Sequence, residues 1–160
     1  TYRPVDRFSL DFDLGFVQSE NWYLHQGDTL FTSFDALQVR PGLSMDYFIS
    51  ANQQLRLSLQ WIGIVAEETE FWRVPTTPGR LIRRTKNNPS NVDDFAVSQM
   101  TSLLRYRWEI APLSDLFIVY TRGSNLPNQY NDDFGSLFEE AFNKPIIDTF
   151  TVKLRYRFSS

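Results

Sequence analysis

The sequence predicts an all-β fold, an antiparallel up-and-down meander that forms a transmembrane β-barrel or the C-terminal sector of one. Two observations lead to this prediction. Several segments alternate apolar and polar side chains with the period of an extended strand, and the connections between them alternate between long and short. Outer-membrane barrels have short periplasmic turns and long outer loops. The pattern gives six clear strands, or eight if residues 19–35 supply two more.

The strand that closes the chain, residues 148–158, carries the clearest alternation. Its even positions from Phe150 to Phe158 are apolar five times in succession, and its odd positions include three cations. A transmembrane barrel strand needs ~9–11 residues, apolar toward lipid and polar toward the lumen. We therefore interpret this segment as a membrane strand with one face toward hydrocarbon and the other toward water.

The first strand, residues 7–18, repeats the pattern and carries Asp11 and Asp13 opposite five apolar side chains. Two carboxylates in a dry core would be costly, whereas a wet interior tolerates them. Residues 19–35 are polar and turn-rich, and are either a long loop or extensions of the neighbouring strands.

The second and third strands are predicted at residues 36–50 and 55–66, joined by a short polar turn. Pro41 removes a hydrogen-bond donor from the ladder, and with Gly42 beside it the sequence predicts a β-bulge. Residues 62–66 are apolar on both sides, so the inner face must be covered there.

Residues 67–93 form the longest irregular stretch, and loops of this length usually carry function or disorder. A fourth strand follows at residues 94–110, then a short turn at 111–115. Residues 116–122 form a continuous apolar run whose facing is ambiguous. In the long segment 123–147, residues 136–142 are predicted to form one or two helical turns.

Composition bounds the class of protein. The 160 residues suffice for one domain, residues 1–160. Because the chain starts at Thr1 without Met and without a signal peptide, we expect it to be a mature or trimmed piece of a larger protein. No window approaches the ~18 apolar residues of a membrane helix. The 14 Phe, 7 Tyr and 4 Trp fit a strand-rich, interfacial protein. The net charge of -3 argues against a nucleic-acid partner, and there is no cysteine.

Two sets of side chains are expected to line a barrel. The charged side chains of the inner faces point into the lumen, most of them near its periplasmic mouth, where they either brace the wall or favour anionic solutes. This set comprises Asp11, Asp13, Arg40, Asp46, Arg56, Arg105, Arg107, Glu109, Lys153, Arg155 and Arg157. Aromatic side chains are expected to form girdles at the membrane interfaces. The girdle set is Tyr47, Tyr106, Trp108, Tyr156 and Phe158 at the periplasmic side and Trp61 toward the other interface.

Enzyme chemistry has little support, and no cofactor or metal is expected. His25 is the one histidine, and the acidic groups, Glu67-Glu68-Glu70 and Asp132-Asp133, lack the spacing of a cation loop. A hydrolase that uses His25 with an unidentified serine stays open as a rival. The cations Arg80, Arg83, Arg84 and Lys86 form a run that is either solvated or meets lipopolysaccharide phosphates on an outer loop.

Three segments carry a family resemblance: N-W-Y-L-H-Q-G-D-T-L-F (21–31), L-R-Y-R-W-E-I-A-P-L-S-D-L-F-I-V-Y-T-R-G (104–123) and V-K-L-R-Y-R-F (152–158). Together they resemble the C-terminal end of a family of uncharacterised bacterial outer-membrane barrels, whose members carry an N-terminal domain similar to family 9 carbohydrate-binding modules. The ending Tyr156-Arg157-Phe158 also resembles the C-terminal aromatic signal of such barrels, except that Ser159 and Ser160 follow. The resemblance implies that this sequence lacks the N-terminal domain and the earlier strands, and it transfers no functional residue.

The expected function is passive: the wall of a bacterial outer-membrane barrel that serves as a pore or takes up polar solutes, glycans among them. Its expected partners are membrane lipid, lipopolysaccharide, and the strands or other chains that complete the barrel. The alternative is a soluble lipocalin-like barrel that binds an apolar ligand inside. The alternation is symmetric under this inversion, because the same pattern results when Phe8, Phe12 and Phe16 face inward.

Overall fold

A computed structural model of the chain describes residues 1–85, 93–129 and 133–158, with no side-chain description for 127–129. These residues form eight strands and one helix. The elements in chain order are β1 (Tyr2–Val5), β2 (Phe8–Gly27), β3 (Leu30–Ser50), β4 (Gln53–Arg73), β5 (Ile82–Arg84), β6 (Phe95–Ala111), β7 (Ser114–Gln129), α1 (Phe134–Asn143) and β8 (Ile147–Arg155).

All the strands belong to one antiparallel sheet in the order β1-β2-β3-β4-β6-β7-β8, with the short β5 paired to β4. The predicted up-and-down meander is confirmed. Within the described residues the outermost strands, β1 and β8, do not pair with each other, so the sheet is open. One end of the sheet carries the two-residue connections 51–52 and 112–113 and is called the turn end here. The opposite end, called the loop end, carries the connection at 28–29, residues 74–94 and the helix.

The turn-rich segment 19–35 is a pair of strand extensions. β2 runs on to Gly27 and β3 starts at Leu30, so the two strands are joined by residues 28–29 alone. Gly27 and Asp28 have φ values of 127° and 47°, in the left-handed region that glycine and aspartate enter most readily. This segment therefore adds no strands of its own, and the two short additional strands are β1 and β5.

Other boundaries also differ from the sequence prediction. The stretch predicted as irregular at 67–93 contains the end of β4 and all of β5, while 86–92 lies outside the described residues. β7 starts at Ser114 and runs to Gln129, well beyond the predicted 116–122. β8 ends at Arg155, so residues 156–158 follow the strand instead of closing it, and Ser159 and Ser160 are not described.

The predicted bulge at Pro41 is wrong. Pro41 pairs with Leu14 of β2, and the register between β3 and β4 is the same before and after it, from Val39 opposite Gly63 to Gly42 opposite Gln60. The β3–β4 ladder has no paired partners at Arg40 and Pro41, so the missing N–H of proline interrupts the pairing there without inserting a residue. Register shifts between β2 and β3 lie instead nearer the loop end, between Ser19 and Trp22 and between His25 and Gly27.

The register divides the sheet into two faces, because directly paired residues project to the same side. The face that contains Phe12, Leu43 and Leu59 is called the apolar face, and the face that contains Asp13, Gly42 and Gln60 is called the polar face. The division continues to the last strand, where Val152 pairs with Ile118 on the apolar face and Lys153 pairs with Phe117 on the polar face.

Near the loop end both faces are covered. On the polar face, Phe34, Ala36 and Ala66 form a buried cluster with Ile64 and Phe95 packed against it, and this confirms that the inner side of residues 62–66 is covered. On the apolar face, helix α1 packs on β4 and β6, with a core of Trp61, Val65, Ala96, Met100, Leu137 and Ala141. The helix fills ten residues where the sequence predicts one or two turns.

Candidate functional site

The charged end of the polar face is built by β3, β4, β6, β7 and β8 near their short turns. Asp46 of β3 lies opposite Arg56 of β4, and its carboxylate pairs with the Arg56 Nε at 2.9 Å. Gln54 donates its side-chain amide N–H to the same carboxylate at 2.6 Å. Each partner is held by a regular strand, so the geometry follows from register alone.

Asp115 is the residue of this site that sequence reasoning misses. It is 1% exposed, although the cations around it face solvent. Arg107 donates from its Nε and a terminal nitrogen to one carboxylate oxygen, both at 3.0 Å, and Arg155 donates to the other oxygen. β7 pairs with β6 on one side and β8 on the other, which brings both arginines to this one carboxylate. The sequence prediction assigns Asp115 to a turn, where no partner is visible.

Arg105 stands apart from these pairs. It lies directly opposite Arg56 in the β4 and β6 register and opposite Val119 of β7. It is exposed. Within the described ranges 1–85, 93–129 and 133–158, its guanidinium group makes no ion pair or side-chain hydrogen bond.

The register places ten of the eleven predicted lumen-facing charges on the polar face. Asp11 and Asp13 pair with Ser44 and Gly42, and Arg40 lies opposite Gly15. In the strand register, Glu109 lies opposite Asp115, and Lys153 lies opposite Phe117. The eleventh, Arg157, follows the end of β8 and is anchored through its backbone N–H, which donates to the Ser114 hydroxyl at 3.0 Å.

The predicted periplasmic girdle residues lie at the turn end. Tyr47 and Trp108 are exposed on the apolar face, where Tyr47 packs edge-on against Phe8 with 6.1 Å between ring centroids. Tyr106 is on the same face, half-buried. Tyr156 and Phe158 are exposed beyond β8, with their rings 4.9 Å apart.

Trp61 has a different environment from the other girdle residues. It is 4% exposed and lies beneath α1, with Phe138 at 5.5 Å and Phe134 at 6.3 Å between ring centroids. Its indole N–H donates to the Ser98 hydroxyl at 2.9 Å, and Ser98 donates to the Leu137 carbonyl at 2.7 Å. The side chain therefore anchors the helix to the sheet, and we leave it out of the girdle proposed below.

Away from the helix, no other described segment covers the apolar face. Large exposed side chains lie on this face in four of its strands, β2, β3, β6 and β8: Phe12, Leu14, Phe16, Leu37, Tyr47, Leu104, Trp108, Phe150, Val152 and Leu154. Phe16 is 65% exposed and Phe150 is 66% exposed. This is the largest departure of the chain from an ordinary soluble surface.

The loop end carries a second aromatic group and the one histidine. The Trp72 ring lies 6.1 Å from Tyr23, and His25 lies 5.0 Å from Phe31. The His25 Nε2 is 3.1 Å from the Asp28 carbonyl, which places the ring in the hairpin turn. Arg83 pairs with Glu70 at 2.7 Å. Lys86 of the predicted cation run and Asp132 of the acidic pair lie outside the described residues.

Neither a metal site nor a membrane-spanning helix is found among the described residues. In the described part of the chain, no group of three or more His, Cys, Asp or Glu side chains could hold a metal ion. No helix among the described residues is long and apolar enough to cross a membrane.

Comparison with known proteins places the chain in a family. The model of a family described as "Domain of unknown function (DUF5916)" matches residues 1–158. No curated protein and no solved structure matches the chain. The family description assigns no function, so the barrel and the N-terminal domain implied by the sequence resemblance stay predictions.

Proposed function

We propose that this chain, which belongs to the DUF5916 family, forms part of the wall of a β-barrel in the bacterial outer membrane. The polar face lines a passive pore for polar solutes, glycans among them, and the apolar face contacts lipid. The chain supplies the C-terminal sector of the barrel. It catalyses no reaction and needs no cofactor in this role.

One observation carries the proposal, namely the uncovered apolar face. The side chains of soluble strands that point away from solvent normally find a second layer to pack against, but Phe12, Phe16, Phe150 and Leu154 have none. Burying apolar surface is worth roughly 25 cal/mol per Å², so leaving these rows in water is costly. A lipid bilayer removes that cost, while the opposite, charged face stays in water.

The open edges point to missing strands. Among the described strands, none pairs with the outer edge of β8, and the edge of β2 opposite β3 has only the four-residue β1 beside it. In hydrocarbon every backbone N–H and C=O needs a partner, which strands obtain by closing into a barrel. Single-chain barrels have at least about 8 strands, so the six long strands of this chain need further strands to close a barrel. The proposed partners are strands N-terminal to this sequence or other chains.

The turn end is assigned to the periplasmic side and the loop end to the outside. Short connections are the rule at the periplasmic end of such barrels, and the two-residue turns 51–52 and 112–113 lie at the turn end. At the loop end, β2 and β3 run on as long extensions before a further two-residue turn, 28–29, joins them. The aromatic side chains Tyr47, Tyr106 and Trp108, followed by Tyr156 and Phe158, then form the girdle at that interface. Arg84 and the other described cations of the predicted run, at the loop end, would face lipopolysaccharide phosphates.

A second candidate is a soluble lipocalin-like barrel with the apolar face inside. One observation favours it: helix α1 covers part of the apolar face and buries Trp61 there, as the filling of a dry interior would. In that arrangement the exposed phenylalanines would contact an apolar ligand, and the arginines of the polar face would face solvent.

Tryptophan quenching in bilayers separates the two candidates. Trp108 is exposed on the apolar face, whereas Trp61 is buried under α1. With the chain in vesicles that contain brominated lipid, we expect the lipid to quench part of the tryptophan fluorescence. This quenching should disappear in Trp108→Phe and remain in the control variant Trp22→Phe. A chain that stays soluble without detergent, with Trp108 protected from lipid and from aqueous quenchers, would reject the membrane wall in favour of the ligand carrier.

A further inference from the structure

We infer that the turn end of the polar face binds oxyanions, such as the phosphate or carboxylate group of a small solute, with Arg105 as the central donor. As a selectivity device this inference rests on the proposed function, because it assumes that the polar face lines a pore. As a binding site it stands on the geometry of the sheet alone.

The site is a cavity of about 280 Å³ at the surface of the polar face. Its walls include the side chains of Arg56, Arg105, Arg107 and Arg155, together with the carboxylate of Asp115. The strands fix these side chains on a regular lattice, since Arg56 pairs with Arg105 across β4 and β6. Four guanidinium groups thus converge on one space from three strands.

The acidic groups do not neutralise this cluster. Asp115 serves Arg107 and Arg155 together, and Asp46 serves Arg56. The cavity and its immediate partners therefore hold four positive and two negative charges. On the same face, Glu109 lies opposite Asp115 and Lys153 lies opposite Phe117, so one charge of each sign flanks the cluster. The excess of positive charge is a local feature of this end, since the whole chain has a net charge of -3.

Arg105 carries the unmet part of this charge. Like charges directly opposite each other on neighbouring strands are destabilising, and Arg105 faces Arg56 in this way. Arg56 has Asp46, whereas Arg105 has no charged partner within residues 1–85, 93–129 and 133–158. An oxyanion between the two guanidinium groups would accept N–H bonds from both, and the planar fork of arginine fits phosphate and carboxylate oxygens in pairs.

A second cavity of about 480 Å³ continues the site along the polar face. It shares Arg56 and Arg105 with the first, and its lining adds one further cation, three serines and two carboxylates: Arg3, Ser9, Ser44, Ser58, Asp11 and Asp46. A solute with one anionic group could therefore place that group at Arg105 while its hydroxyl groups contact the serines. This arrangement fits small polar anions better than apolar ones.

The binding test uses inorganic phosphate and the full chain in detergent, with titration calorimetry as the measurement. We expect Arg105→Gln to weaken phosphate binding by roughly tenfold or more, because a charged donor is lost. Arg105→Lys should recover part of the affinity, since it keeps the charge and loses the fork. Arg73→Gln is the matched control, with the same charge change at the loop end of β4. Circular dichroism checks that each variant keeps its sheet.

Equal phosphate affinity in Arg105→Gln, Arg73→Gln and the unmodified chain would overturn the site, and so would the absence of phosphate binding. A planar-bilayer measurement separates this result from the pore proposal. If the completed barrel conducts, a reversal potential that favours anions and shifts toward cations in Arg105→Gln supports the inference. Conductance without anion preference or phosphate binding rejects the anion site and leaves the pore. Phosphate binding without any conductance rejects the pore and leaves the site.

Discussion

The indole of Trp61 occupies the space beside Gly63 that the side chain of any other residue would fill. A Cβ atom built on Gly63 would lie 2.6 Å from the Trp61 Cζ2 and 2.9 Å from the Phe134 Cδ1. Both distances are too short for real contacts, so the glycine lets the ring and the helix approach the strand. The attachment of α1 to the sheet therefore depends on one missing side chain.

Gly63→Ala is expected to destabilise the protein by about 1–3 kcal/mol, because the added methyl group overpacks the contact between Trp61 and Phe134. The free energy of unfolding in urea measures the loss, and increased quenching of Trp61 by acrylamide reports that the helix has moved. Gly42→Ala is the control, since a Cβ there meets only the Asp13 Cβ at an ordinary 3.7 Å. Equal unfolding free energies for the two variants would contradict this account of the contact.

At the scale of single residues, alternation is enough to place charges on a face but not to pair them. It groups Asp46 with Arg56 and Arg105 correctly, because each lies within a strand of clear period. Asp115 escapes it, since the run after this residue is apolar on both faces and hides the facing of β7. The bond from Asp115 to two arginines needs the register of three strands, which no single segment encodes.

At the scale of secondary-structure elements, the sequence indicates most of the strands but not where each one begins and ends. The polar residues of 19–35 are typical of a loop, yet they pair across the β2 and β3 hairpin, from Ser19 opposite Ala36 to Gly27 opposite Leu30, with two register shifts between these ends. Polar side chains occur on both faces of this hairpin, and two of them, Thr32 and Ser33, are buried, so the segment has no hydrophobic period to read. The sequence predicts only one or two turns of the helix. Its apolar side is short, and its packing partner, Trp61, lies far away in sequence, so the local pattern does not show its full length.

The start of α1 gives a prediction about pH. Asp133 accepts from the Ser136 hydroxyl and from the backbone N–H groups of Gly135 and Ser136, and these hydrogen bonds hold the pKa of its carboxyl below the ordinary value of 3.8. A lowered pKa in the folded state means that the cap stabilises the helix fully above pH 3.8. That contribution is lost as the pH falls through the lower folded value.

We therefore expect α1 to loosen from the sheet in acid below pH 3.8, as seen in the fluorescence of Trp61. Asp133→Asn keeps an acceptor for the same N–H groups but does not titrate, so its acid transition should begin at lower pH than that of the unmodified chain. Other carboxylates titrate in both proteins and cancel in the comparison. Superimposable acid transitions would show that Asp133 does not control the helix.

For the molecule as a whole, the rhythm of long and short connections predicts which ends of the strands lie together. The turns 51–52 and 112–113 share one end, and the connections that join β4 to β6 and β7 to β8 share the other. The first connection, predicted as long, is instead a two-residue turn, 28–29, at the end of two strand extensions. Neither rhythm nor alternation can tell which face of the sheet is outside, because both are unchanged when the sheet is turned over. The answer depends on whether each face contacts lipid, water or the protein interior, and an experiment has to distinguish these environments.

Neighbouring residues of β8 offer such a test, since Val152 lies on the apolar face and Thr151 on the polar face, and both are exposed in the open sheet. In water alone, a lysine at either position would cost little. In a bilayer, a lysine on the lipid side of a barrel costs about 2–4 kcal/mol near the midplane, while one in the lumen is tolerated. We expect Val152→Lys to lower the fraction of chain that inserts into vesicles and resists extraction by urea, and Thr151→Lys to insert like the unmodified chain.

The same pair separates the soluble alternative. A dry interior on the apolar face would make Val152→Lys unstable without any lipid, so its unfolding free energy in detergent-free buffer would drop well below that of Thr151→Lys. A lipid-facing wall predicts that the two lysines differ only when a bilayer is present, because only then does one side of β8 leave water. A difference that is equally large in buffer and in vesicles would place the apolar face inside the protein and remove the membrane wall.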